Sequence, residues 1–138
     1  MKNKKILVSL LLVFTLFAVA QAQNNQKLTL DLFLDWEYAL NPQISPDGTQ
    51  IVYTRRWTDK INDKFESDIW IVGADGSRER FLIKGSSPVW SPDGKRIAYI
   101  APGQPTGAQI FVKWMDTPDA GTQITRLERS PSNLQWSP

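Results

Sequence analysis

An all-β fold made of repeated four-stranded sheets is predicted by three features of this 138-residue sequence. The first is an internal repeat: Ser45-Pro46-Asp47-Gly48 recurs as Ser91-Pro92-Asp93-Gly94, and a third copy opens at Ser137-Pro138, with a spacing of 46 residues each time. The second is that flanking residues follow at the same offset, Ile51-Val52-Tyr53 with Ile97-Ala98-Tyr99 and Trp90 with Trp136. The third is a density of turn signals between short runs of alternating apolar residues, the pattern of hairpins. Four antiparallel strands in about 40–50 residues make one blade of a β-propeller. The chain therefore reads as about two blades and the start of a third.

The elements follow in order. Met1–Lys5 is a short cationic stretch, Ile6–Ala20 an apolar run of 15 residues, and Ala20-Gln21-Ala22 a small–x–small cleavage pattern. Together these read as a secretory signal peptide over residues 1–22, cut after Ala22. The run is short of the roughly 20 residues that span a bilayer. The membrane is thus expected only as a transient partner, and the mature protein is expected in the periplasm or outside the cell. Residues 23–41 read as a lead-in. Thr29 caps a short helix, Asp31 sits in its first turn, and Leu30, Phe33, Leu34 and Tyr38 line one face. Asn41-Pro42 ends it, because the residue before proline avoids helical geometry.

Residues 42–138 read as an incomplete propeller with repeats starting near 42, 88 and 134. In each repeated turn the proline presets φ, the aspartate tolerates the next position, and the glycine takes the left-handed one. Asp75-Gly76 marks a second hairpin, between Asp68–Val72 and Arg80–Ile83. Strands are predicted in the second copy near Val89–Ser91, Arg96–Ile100, Gln109–Lys113 and Gln123–Leu127. One strand breaks the offset: Ile69-Trp70 matches Ile110-Phe111 at 41 residues, which places a longer loop, Thr54–Ser67, in the first copy. Trp70, Trp90 and Trp136 repeat and are expected to fill the core between blades.

Composition excludes several chemistries. With no cysteine there is no disulfide, thiolate metal site or cysteine nucleophile, and with no histidine the commonest general base and metal ligand are missing. There is no Gly-x-Ser-x-Gly nucleophile elbow. Ser45 and Ser91 start turns, and Asp47 and Asp93 occupy equivalent turn positions rather than one shared site. No catalytic residue, cofactor or metal site is expected. Removing residues 1–22 takes away Lys2, Lys4 and Lys5 and leaves 13 basic against 14 acidic side chains, no footprint for nucleic acid. Asp59, Asp63, Glu66 and Asp68 lack the alternation and glycine of a calcium loop and read as a solvated face. Arg55, Arg56, Arg78, Arg80, Arg126 and Arg129 are dispersed among acids and read as solubility. Trp57 does not repeat and follows Arg55-Arg56; these three are the candidates for contact with a partner domain or ligand.

The run Trp90-Ser91-Pro92-Asp93-Gly94-Lys95-Arg96-Ile97-Ala98-Tyr99, preceded by Asp68-Ile69-Trp70 and Ala74-Asp75-Gly76-Ser77, resembles the TolB-like propeller repeat. That repeat occurs in periplasmic TolB and in the N-terminal propeller of prolyl oligopeptidase family serine peptidases, dipeptidyl and acylaminoacyl peptidases among them. The short lead-in before the first repeat is more similar to the peptidases, since TolB carries a sizeable α/β domain there. Trp114–Thr117 and Thr125–Ser132 also resemble the peptidase propellers more than TolB. The resemblance implies a propeller that caps a C-terminal α/β-hydrolase domain and admits only short or unfolded peptides. The family's serine, aspartate and histidine lie in that domain, at positions outside this sequence. Two alternatives are a non-enzymatic periplasmic scaffold for protein–protein contacts and a propeller that binds a sugar or another small ligand. The reading predicts that the gene continues past Pro138 with Asp-Gly, followed by further blades and a Gly-x-Ser-x-Gly elbow. Sequencing beyond Pro138 checks this, and a frame closing with the propeller leaves only the scaffold or ligand-binding readings.

Overall fold

The computed structural model describes residues 27–118 and 121–137. The expected cleavage residues Ala20 and Ala22 lie outside them. By compactness the chain divides into Met1–Leu30 and Asp31–Pro138. Of the first unit, the described residues 27–30 are all exposed. No helix among the described residues is long and apolar enough to cross a membrane.

Helix α1 spans only Leu30–Leu34 and buries none of its residues. It closes with Asp35 N donating to Asp31 O at 3.0 Å and Trp36 N to Phe33 O at 3.2 Å. The expected continuation to Leu40 is not a helix. Tyr38–Ile44 is strand β1, paired antiparallel with β2 (Gln50–Asp59) from Tyr38↔Arg56 onward. Three consecutive pairings outweigh the weak local preference of a short amphipathic run. Asn41-Pro42 therefore interrupts a strand, not a helix. Asn41 takes φ 50° and the register shifts between Leu40 and Gln43, a bulge of the kind that accommodates proline in a sheet. The first sheet accordingly begins at Tyr38 rather than near Pro42.

Strands β3 (Lys64–Gly73) and β4 (Arg80–Lys84) complete an antiparallel sheet ordered β1-β2-β3-β4. Strands β5 (Ser86–Trp90), β6 (Arg96–Gly103), β7 (Gly107–Trp114) and β8 (Thr122–Gln123) form the second, in the same order. These are the two four-stranded blades that the repeat predicts. The supposed long loop Thr54–Ser67 is hairpin instead. β2 and β3 stay paired out to Asp59↔Lys64, whereas β6 and β7 close at Gly103↔Gly107. The extra residues of the first copy thus lengthen a two-stranded arm, because alternating residues on both sides of Asp59–Asp63 allow pairing to continue.

The repeated turns form as the residue types dictate. Gly48 N donates to Ser45 O at 2.8 Å and Gly94 N to Ser91 O at 2.9 Å, with the glycines at φ 73° and 67°. Ser45 Oγ donates to Asp47 at 2.6 Å while accepting from Gln50 N at 2.9 Å, and Ser91 Oγ accepts from Arg96 N at 3.0 Å. The serine hydrogen bond, followed by backbone N–H donors, holds the Asp47 and Asp93 carboxyls below the usual aspartate value of 3.8. Asp75-Gly76 turns as expected, Ser77 N donating to Asp75 Oδ1 at 2.9 Å.

Val52, Ile69 and Ile71 of the first sheet share one buried cluster with Trp90, Ile97, Tyr99 and Ala101 of the second. Tyr99 stacks on Phe111 with centroids 5.6 Å apart. Gly85, which links the sheets at φ 144°, passes so close that a Cβ there would stand 2.8 Å from the Tyr99 ring and 2.7 Å from Ile100 O. Polar links repeat between successive units. Trp90 Nε1 donates to Gln43 O at 3.2 Å, and Trp136 Nε1 donates to Val89 O at 3.0 Å. Ser87 N donates to the buried Thr54 Oγ1 at 2.9 Å.

Strand β8 is shorter than the expected Gln123–Leu127 because a side chain takes over its ladder. Gln109 is fully buried. Its Nε2 donates to Leu127 O at 2.8 Å, and its Oε1 accepts from Leu127 N at 2.8 Å and Thr125 Oγ1 at 2.9 Å. One carboxamide thus stands in for two strand hydrogen bonds. Gln109→Leu keeps the volume but strands these partners, so it should cost roughly 3 kcal/mol. Urea denaturation of the whole protein measures this; a change within the scatter of surface substitutions would show that the carboxamide is dispensable.

Candidate functional site

Of the three candidates Arg55, Arg56 and Trp57, strand geometry separates one from the other two. All lie in β2, where successive side chains point to opposite faces. Arg55 and Trp57 share the face of Tyr53, away from the second sheet, and line a small recess with Glu37, Asp68 and Trp70. Arg56 is on the other face, its guanidinium 4.3 Å from the Phe65 ring centroid and 5.6 Å from that of Tyr38.

Arg55 is held in place. Its Nε and Nη2 donate to Glu37 Oε2 and Oε1 at 2.6 and 2.7 Å, and its guanidinium lies 4.6 Å over Trp70. The Arg55 hydrogen bond keeps the Glu37 carboxyl below its usual value. Trp70, expected in the core between blades, is only half-buried. Its position matches Phe111, but no described blade covers its face, and its Nε1 has no hydrogen-bond partner. Next to it, Tyr53 Oη donates to Glu79. Asp68 across from Lys84 has its carboxyl pushed up, chiefly by burial. The other acidic residues of the hairpin are structural: Asp59 accepts from Ile61 N and Asn62 N at the turn, and Glu66 pairs with Lys64 at 2.6 Å. No group of carboxylates able to hold a metal occurs among the described residues.

A second surface was not anticipated. Asn41, Ser87 and Asn133 recur at the repeat spacing and all have positive φ, 50°, 53° and 53°. Asn41 and Ser87 sit in the bulges of β1 and β5, and Asn133 repeats their backbone conformation one unit on. With Gln43, Val89 and Gln135 they line a groove of about 360 Å³. Asn41 Nδ2 donates to Ser87 Oγ at 3.4 Å along it. The groove is neutral, offering amide and hydroxyl groups that both donate and accept. The signal was present in the sequence, as Asn41-Pro42 and Ser87-Pro88 at a spacing of 46.

No family model matches the sequence. The chain is 28% identical over 102 residues to the uncharacterized peptidase YuxL of Bacillus subtilis, covering 71% of this chain and 15% of that protein. It is 31% identical over 84 residues to dipeptidyl-peptidase 5 of Porphyromonas endodontalis, 58% of this chain and 12% of the relative. Among solved structures, the acylaminoacyl peptidase of Pyrococcus horikoshii superposes with a TM-score of 0.59 at 25% identity, over 71% of this chain and 16% of that one. The β-propeller domain of the trilobed protease of Pyrococcus furiosus gives 0.56 at 23% identity, over 67% and 28%. The two sheets are therefore blades of a β-propeller. In sequence and fold they match the N-terminal propeller of prolyl oligopeptidase family peptidases, of whose length the chain spans about 15%.

The exposed face makes a pH prediction. Burial, and then the hydrogen bond to Glu79, raise the Tyr53 phenol from 10.0 to about 12. A phenol that ionises later in the folded than in the unfolded chain stabilises fully below pH 10, and that contribution is lost as pH rises toward 12. Tyr53→Phe should flatten this alkaline loss, read as the denaturation midpoint against pH. Superimposable alkaline limbs in the two proteins would rule the coupling out.

Proposed function

We propose that this chain is the propeller part of an exported serine peptidase that acts on peptides, and that it gates substrate and docks a C-terminal α/β-hydrolase domain. The observation that carries the reading is the match of both blades to peptidase propellers in a chain without histidine. A triad needs a general base between nucleophile and acid. With no imidazole here, the propeller contributes selection while hydrolysis belongs to another domain. The neutral groove of Asn41, Gln43, Ser87, Asn133 and Gln135 suits a gate for peptides. Its amides and hydroxyls satisfy main-chain N–H and C=O groups without favouring one side-chain charge. The cationic start and apolar run of Met1–Ala20, cut at Ala20-Gln21-Ala22, support export. Arg55 and Trp57, on the exposed face of blade 1, are the proposed contacts with a neighbouring part of the protein; Arg56 is committed to Phe65 and Tyr38.

The complete protein should react with a fluorophosphonate, cleave short peptides and leave folded proteins intact. Gln43→Glu with Gln135→Glu should raise KM for an acidic peptide several-fold at unchanged kcat, because like charges in the gate repel the substrate before the chemistry. Complete inertness to the fluorophosphonate and to every peptide tested would leave a non-enzymatic propeller.

A further inference from the structure

The β2–β3 hairpin of the first blade is longer than the fold requires. Its pair Trp57↔Glu66 corresponds to the pair Gly103↔Gly107 at which the second blade closes. Thr58↔Phe65, Asp59↔Lys64 and the turn beyond them have no counterpart. This added arm is apolar where it could be polar. Ile61 at its tip is 93% exposed and Phe65 60% exposed, neither belonging to the buried cluster.

Helix α1 and the segment after it lie against the same arm. Lys60 Nζ pairs with Asp35 Oδ1 at 2.6 Å and donates to Asp31 O at 3.5 Å. Phe33 and Trp36, 44% and 46% exposed, meet at 5.4 Å between centroids. Phe33, Leu34, Tyr38 and Phe65 wall a mainly apolar cavity of about 200 Å³ between helix and arm. Two separate elements thus bring Phe33, with Trp36 against it, to one cavity with Phe65, and Ile61 projects from the tip of the same arm. A single exposed side chain needs no explanation, but a contiguous apolar patch on a protruding hairpin invites association unless something covers it.

Three observations indicate what covers it. The cations of the arm are already neutralised, Lys60 by Asp35 and Lys64 by Glu66, so the surface suits an apolar protein face rather than an anionic one. The patch stands at the end of the sheet where the chain runs into β1, since Tyr38 opposes Arg56, next to the arm. Finally, the matched region makes up only 15% of the Bacillus subtilis peptidase and 16% of the Pyrococcus horikoshii one, so most of such a polypeptide lies elsewhere. We infer that the β2–β3 arm and α1 form the surface on which the hydrolase part of the same polypeptide docks. This rests on the peptidase reading above and assigns its interdomain contact to Phe33, Trp36, Ile61 and Phe65.

The test uses the complete protein carrying Ile61→Cys at the tip or, as a control, Lys95→Cys at the exposed turn of the second blade. Maleimide labelling is followed at each site by peptide mass spectrometry. The tip thiol should react at least about tenfold more slowly than the control, at a rate independent of protein concentration. Equal rates overturn the inference, and so does protection that disappears on dilution, which would assign the patch to a second copy. Hydrogen exchange of residues 58–65 in the unsubstituted protein reads the same protection if either cysteine variant misfolds. Fluorophosphonate labelling of the same samples separates the two ideas: an active serine with a freely reactive tip removes the docking surface and leaves the peptidase reading standing.

Discussion

The indole N–H of Trp90, donated to the backbone oxygen of Gln43, sets one blade against the next. A four-stranded blade has two apolar faces and no way to bury either alone, so its stability is that of its interfaces. Hydrophobic contact among Val52, Ile69, Ile71, Ile97 and Tyr99 supplies most of the free energy, but such contact is non-directional. The directional part comes from the buried edge groups. The indole reaches back to the carbonyl of Gln43, the first residue in register after the bulge of β1, and Ser87 N finds Thr54 Oγ1 in the same seam. Each such bond contributes about 1 kcal/mol, and leaving a partner unsatisfied costs more, so sliding the blades is penalised where apolar packing alone would tolerate it.

This explains why the bulges at Asn41 and Ser87 recur. A bulge bends and twists the strand, and in the first strand of a blade the next indole arrives at the residue where pairing resumes after it. The same operation repeats at Trp136 and Val89. The repeat of 46 residues is thus a repeat of interfaces as much as of turns, and what varies between copies lies away from them. The β2–β3 arm lengthens without disturbing the seam, because its extra pairs lie beyond the end of the neighbouring sheet.

The turns, the hairpins and the division into successive four-stranded sheets were legible because each rests on local chemistry: proline and glycine at set positions, alternation at period two, and recurrence. Three features were not. Tyr38–Leu40 carries a helix-like apolar spacing, and only a partner strand far along the chain makes it extended. Thr54–Ser67 reads as loop because its alternating residues are polar, aromatic or charged; the pairing that organises it buries little. Gln109 looks like an ordinary strand residue, and nothing local announces that its carboxamide will carry the hydrogen bonds of Thr125 and Leu127. Misreading the arm as a loop also hid the divergence of Arg55 and Arg56, which a strand assignment shows at once through its period of two.

The first blade departs from the repeat at one telling position. Ile44 stands where Trp90 and Trp136 stand in the later copies, and it is 66% exposed. An isoleucine has no N–H to donate, so the directional clamp that fixes the second unit against the first, and the third against the second, has no equivalent on the outer face of blade 1. That face carries a different set of groups: Arg55 bound to Glu37 and lying over Trp70, Tyr53 bound to Glu79, and Trp57 beside them. Arg55, Glu37, Tyr53 and Glu79 make their hydrogen bonds within the blade, while Trp70 Nε1 is buried there without a partner. Consecutive repeats are thus joined by directional clamps, and among the described residues the outer face of blade 1 presents rings and an unpartnered indole instead of one.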